Sequence, residues 1–124
     1  MLRQGPISRL LHGVIEYLAG ALLIAAPFLL SFDSGAAKAV SLVAGIVVLA
    51  VAASTEGPTG MIASIPLSVH VLLDFGLAGV LVASPFLFGF SGETAPTAFF
   101  ILLGVAHLLV TIGTRFKTGA SGVA

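Results

Sequence analysis

The chain has 124 residues, 58% of them hydrophobic and only 8% charged, with a mean hydropathy of +1.19 and a formal net charge of zero. A water-exposed surface needs charged side chains at roughly 25% of positions, so the solvent for this chain is lipid. Without a basic face it offers nothing to nucleic acid, and without cysteine it has no disulfide, thiolate metal site or cysteine nucleophile.

Residues 1–11 carry Arg3 and Arg9, with Gly5 and Pro6 breaking any early helix. With the apolar run behind them they resemble a secretory leader, but the run is too long and has a copy at residues 70–90, so it reads as a mature membrane helix. That first helix is predicted from about Leu11 to Leu30, since a bilayer core takes about 20 apolar residues. Pro27 near its exit predicts a kink or a local unwinding. FDSGAA is a turn, and a second helix is expected over about Ala36–Ser54. STEGPTG breaks the chain at its centre, and MIASIPLS, interrupted by Pro66, is expected at the membrane interface. A third helix follows over about Leu67–Phe88 and a fourth over about Thr97–Thr114, with SGETAP as the turn between them. The tail after Thr114 reads as small, polar and disordered.

His12 to Phe32, HGVIEYLAGALLIAAPFLLSF, returns as His70 to Phe90, HVLLDFGLAGVLVASPFLFGF, at a constant offset of 58. After one inserted residue the offset becomes 59, aligning Gly45, Leu49, Val51 and Thr55 with Gly104, Leu108, Val110 and Thr114. The prediction is one all-α membrane domain, a four-helix transmembrane bundle built from two parallel helical-hairpin repeats, about 12–55 and 70–114. With two crossings per repeat, its pseudo-two-fold axis lies along the membrane normal. Arg3, Arg9, Arg115 and Lys117 predict both termini in the cytoplasm and a multi-pass protein of the inner or plasma membrane. Lys38 dissents from the opposite side.

Charged groups inside a span cost roughly 2.5–3.5 kcal/mol at its centre, which makes Glu16 and Asp74 the candidates for function. Each has a histidine four residues earlier, His12 and His70, on the same helical face. His107 has no counterpart in the first repeat, where Val48 stands, and reads as a lone helix-to-helix donor about twice as deep as the two acids. Thr111 and Arg115 follow it at four-residue steps as a polar stripe. Small residues at four-residue spacing, Ala21 and Ala25 in the first helix with Gly79 and Ala83 in the third, are predicted at helix contacts, together with Gly45 and Gly104.

A His followed at four residues by an acid and then an aromatic, and later a small-Pro-aromatic triplet before a Phe, resembles the SPW repeat family of small prokaryotic membrane proteins. The resemblance spans about residues 11–114 and implies four membrane helices in two repeats, with no catalytic residue. Where that family has Ser-Pro-Trp, this chain has Ala26-Pro27-Phe28 and Ser84-Pro85-Phe86, so neither repeat carries an indole N–H there.

Three functions compete for the four polar residues. The leading one is structural, with acids and histidines bonding across helices in a non-enzymatic structural or accessory subunit whose partners are the bilayer and other membrane proteins or further copies of itself. The second is transport or proton relay, which the first and third helices disfavour, being apolar beyond Gly20 and Ala78 apart from Ser84. The third is a metal or haem site, since two His and two carboxylates make a four-ligand set, although H-x-x-x-E spacing lacks the confirming second His of H-E-x-x-H. No phosphate loop, nucleophile pair or dinucleotide fingerprint is present, so no enzyme, catalytic residue or cofactor is predicted.

Overall fold

The computed structural model describes residues 5–114 and contains four helices among them: α1 (Arg9–Leu29), α2 (Gly35–Ser54), α3 (Leu67–Leu87) and α4 (Thr94–Gly113). All four are long and apolar enough to cross a membrane. Arg3, Arg115 and Lys117, and the tail expected to be disordered, lie outside the described residues. Ser8 caps α1 by accepting from the Leu11 N–H, and Ser34 caps α2 by accepting from Ala37. α4 starts three residues before the expected Thr97, because Pro96 sits in the first turn, where a missing N–H breaks no helical bond.

The helices pair as two hairpins, α1 with α2 and α3 with α4, packed far more densely within each hairpin than between them. The close approaches come at small residues. A Cβ on Gly45 would lie 2.8 Å from the Gly20 carbonyl oxygen, and one on Gly104 would lie 3.0 Å from that of Ala78. The small-residue contact thus falls one position before the expected one. Ala21 and Gly79 face outward, a Cβ on Gly79 meets nothing within 4 Å, and Ala25 and Ala83 are half-buried. The buried stripe of α1 runs through His12, Glu16 and Gly20, and that of α3 through His70, Asp74 and Ala78. The acids set the rotation of both helices, and four-residue steps from them lead to Gly20 and Ala78.

Neither proline interrupts its helix. Pro27 and Pro85 lie inside α1 and α3, one turn from the end. The Leu23 carbonyl that Pro27 leaves without a donor accepts instead from the Ser41 hydroxyl of α2, at 2.5 Å. Each helix then closes with a six-residue bond back to its proline, Phe32 N–H to the Pro27 carbonyl at 3.0 Å and Phe90 N–H to that of Pro85 at 2.9 Å. The residue before each Phe takes the left-handed backbone this closure needs, Ser31 at φ 52° and Gly89 at φ 76°. Phe32 and Phe90 turn back into the bundle, where with Phe99 and Phe100 they form an aromatic cluster with ring centroids 5.2–6.4 Å apart. At this same end the Glu93 carboxylate accepts from the backbone N–H groups of Asp33 and Ser34, tying the second hairpin to the start of α2.

At the other end the chain crosses between repeats twice in equivalent ways. Ile7 N–H bonds the Gly113 carbonyl at 3.0 Å, and extended contacts join Ile7 to Thr114 and Ile65 to Thr55. Residues 61–65 fold back over α2, where Met61, Ile62, Ser64 and Ile65 donate to the carbonyls of Ala53 and Ser54 that the helix end leaves free.

Candidate functional site

Glu16, Asp74 and His107 each lie roughly two turns inside the end of their helix nearest residues 5–8 and the 55–66 connection, and so meet at one level. His12 and His70 stand one turn closer to that end. All five side chains are buried, each with 3–4% of its surface exposed. His107 is therefore neither alone nor deeper than the acids.

The four repeat-related groups form a closed ring. Across the repeats, His12 Nε2 lies 3.0 Å from Asp74 Oδ2, and His70 Nε2 lies 2.8 Å from Glu16 Oε1. Along each helix, His12 Nε2 is 3.1 Å from Glu16 Oε2 and His70 Nε2 is 3.3 Å from Asp74 Oδ1. Every imidazole thus bridges both carboxylates, and sequence spacing revealed only half of these contacts. The rings of His12 and His70 meet edge to face, with centroids 6.1 Å apart.

The outer nitrogens fix the tautomers. His12 Nδ1 is 2.7 Å from Thr114 Oγ1, and His70 Nδ1 is 2.7 Å from Thr55 Oγ1. Each threonine hydroxyl donates its one proton down its own helix, Thr114 to the Val110 carbonyl and Thr55 to that of Val51, both at 2.6 Å. The hydroxyl oxygen must then accept from the ring, so both Nδ1 atoms carry hydrogen and both Nε2 atoms face the acids. A lone pair facing a carboxylate would repel it, so each His and acid pair holds a proton between its members. Two such protons make the ring electrically neutral, which is what a cluster buried at this depth requires. Thr55 and Thr114, one per repeat, belong to the site although their side chains attracted no functional reading; their alignment at offset 59 was the available signal.

His107 Nε2 lies 3.3 Å from Asp74 Oδ1 but not in a direction that makes a hydrogen bond, and it hydrogen-bonds to no other group among the described residues. Arg9 and Glu56 flank a small vestibule that opens through residues 57–59 onto His12, Glu16 and His70. Tyr17 donates to the Thr59 carbonyl at 2.8 Å and holds that loop against α1, where Gly13 leaves room for the Thr59 side chain.

The family model of the SPW repeat domain matches residues 10–114. The chain belongs to the SPW repeat family. No curated protein and no solved structure matches it. In this SPW repeat chain the triplet that replaces Ser-Pro-Trp divides its labour. Ala26 and Ser84 are buried, and Pro27 and Pro85 are buried and accept the closing bond of each helix. Phe28 and Phe86, in the tryptophan position, are 69% and 64% exposed and face the surroundings of the bundle. The triplet lies at the end of the bundle opposite the His/acid ring, so it shapes the fold and takes no part in the polar site.

Proposed function

We propose that this small membrane protein is a non-enzymatic structural or accessory subunit of the inner or plasma membrane, with both termini in the cytoplasm, in which the His/acid ring clasps two hairpins together. The observation that carries this reading is the closure of the ring. Each carboxylate is matched by an imidazole from the other repeat, in a molecule whose helices pack more densely within each hairpin than between them. Beyond the ring the core is filled by Leu23, Leu81, Phe32, Phe90 and Phe100, all buried, and the hydroxyls of the buried Ser41 and Ser84 are committed to backbone carbonyls. That counts against a relay.

Breaking a buried pair by removing one partner costs roughly 3–5 kcal/mol, so the clasp holds the hairpins at a defined separation. The separation leaves an apolar trough of about 990 Å³ between α2 and α3, walled by Val43, Val47, Leu72, Leu73 and Val80. Such a surface suits association with another membrane protein or with further copies of the chain. Native mass spectrometry after gentle detergent extraction tests the reading, with a complex of defined stoichiometry as the expected result. A lone monomer would overturn it. So would a proton-linked flux in vesicles that Glu16→Gln with Asp74→Asn abolishes without loss of fold.

A further inference from the structure

We infer that His12, Glu16, His70 and Asp74 form a binding site for one divalent transition-metal ion of the zinc type. Each of the four residues offers one ligand atom, and these atoms all lie within 4.8 Å of one another. Metal-to-ligand bonds of 2.0–2.2 Å in a tetrahedron put neighbouring ligands about 3.3 Å apart. The His-to-carboxylate contacts of the ring measure 2.8–3.3 Å through both oxygens of each acid, so the donor atoms already stand near the spacing that an ion requires.

The outer contacts are those a metal site requires. A ligating imidazole donates its other N–H to an acceptor that fixes its tautomer and aim. Thr114 and Thr55 do this for His12 and His70, and their own protons are committed to backbone carbonyls. A purely mechanical clasp has no need of His107, whose Nε2 is buried 3.3 Å from Asp74 Oδ1 and hydrogen-bonds to none of the described residues. The vestibule of about 30 Å³ beside Arg9 and Glu56 leads from the bundle end to His12, Glu16 and His70 and holds one or two waters, enough to pass an ion stripped of most of its shell.

Charge balance makes the exchange feasible inside lipid. The ring with two protons is neutral. One M2+ with two neutral imidazoles and two carboxylates is also neutral, so binding releases two protons to the vestibule and leaves the buried charge unchanged. Imidazole with carboxylate selects zinc, iron, cobalt or manganese over calcium and magnesium, and the lack of thiolate disfavours Cu(I).

The full chain, purified in detergent and stripped with chelator, is titrated with Zn2+ by calorimetry in buffers of different ionisation enthalpy. The expected result is one ion per chain with about two protons released, and Co2+ in its place gives the visible bands of a four- or five-coordinate site. Thr55→Val with Thr114→Val should weaken binding by roughly 10–100-fold. Glu16→Gln with Asp74→Asn, which keeps shape and size, should weaken it further. A folded wild-type chain that takes up no Zn2+ overturns the inference, and so does undiminished binding in the Gln/Asn variant. If that variant does not fold, X-ray absorption on the zinc-loaded wild type decides, and a first shell without imidazole is the contrary result. None of these outcomes depends on whether the chain works alone or in a complex.

Discussion

Repeat 1 and repeat 2 both end their first helix on a proline that strands a carbonyl one turn back, and they treat the neighbouring position in opposite ways. In repeat 1, Ser41 donates to that carbonyl at Leu23. In repeat 2 the position equivalent to Ser41 is Phe100, which brings no donor and instead fills the axis, fully buried between Phe32, Phe90 and Phe99. At the other end the asymmetry lies on α4. The position equivalent to Val48 is His107, which lies within 3.3 Å of Asp74, while Glu16 is approached by His12 and His70 alone. Repeat 2 therefore differs from repeat 1 at both ends, with an apolar plug at one and a fifth polar group at the other, on a matching pair of helices. Bulk and charge can diverge inside a duplicated hairpin while helix ends and close contacts stay matched.

The comparison is broken most sharply at the acids. Asp74→Ala and Glu16→Ala should each destabilise the bundle by roughly 3–5 kcal/mol, because each breaks the buried ring and leaves two imidazoles to share one carboxylate. Asp74→Ala should be the worse, by about 1 kcal/mol, since three histidines surround it and two surround Glu16. Reversible unfolding in mixed detergent micelles measures both, and equal losses would mean that His107 contributes nothing.

The opposite end should show the same rank order between repeats. Phe100→Ala empties the centre of the aromatic cluster and should cost roughly 3–5 kcal/mol. Ser41→Ala leaves one carbonyl unsatisfied and should cost roughly 1–3 kcal/mol by the same assay.

Helix contacts sharpen the comparison at smaller scale. Gly45→Ala would press on the Gly20 carbonyl and should cost roughly 1–3 kcal/mol. Gly104→Ala presses on Ala78 in the same way and should match it. Gly79→Ala, with open space around its Cβ, should be neutral or slightly stabilising, within about 1 kcal/mol. A large loss there would return the contact to the face that small-residue spacing alone suggests.

The smallest expected effect is at the helix closures. Ser31 holds the left-handed conformation that Gly89 holds in repeat 2, so Ser31→Gly should raise stability by roughly 0.5–1 kcal/mol. Gly89→Ser should lower it by a similar amount, a pair of melting shifts of opposite sign.

The architecture was legible because its signals repeat. Two runs offset by 58 residues, each of spanning length, fixed four helices to within three residues at every end. The His and acid at four-residue spacing were legible for the same reason. Three things were not. Small residues crowd α1 at Ala19, Gly20, Ala21, Ala25 and Ala26, so spacing alone could not choose a face; only the acids, by their need for burial, could. The cross-repeat pairing of His12 with Asp74 and His70 with Glu16 depends on how two hairpins dock, which no local pattern encodes. His107 was read as isolated because it has no repeat partner, and its depth was overestimated against acids that lie the same two turns inside their own helices.

The reciprocal stitching at the end that carries the ring has a consequence for the chain as a product of duplication. His12 relies on Thr114 and Asp74, His70 relies on Thr55 and Glu16, and the extended pairings of Ile7 and Ile65 are made the same way. A single hairpin would hold each half of these arrangements and complete none, whereas two identical hairpins would complete all of them. The connection over residues 55–66 turns what would be a bimolecular encounter in the plane of the membrane into an intramolecular one, at an effective concentration of order millimolar. Fusion thereby removes the dependence on expression level, and it frees each copy to change alone. Phe100 and His107 are residues a symmetric homodimer would have had to install twice.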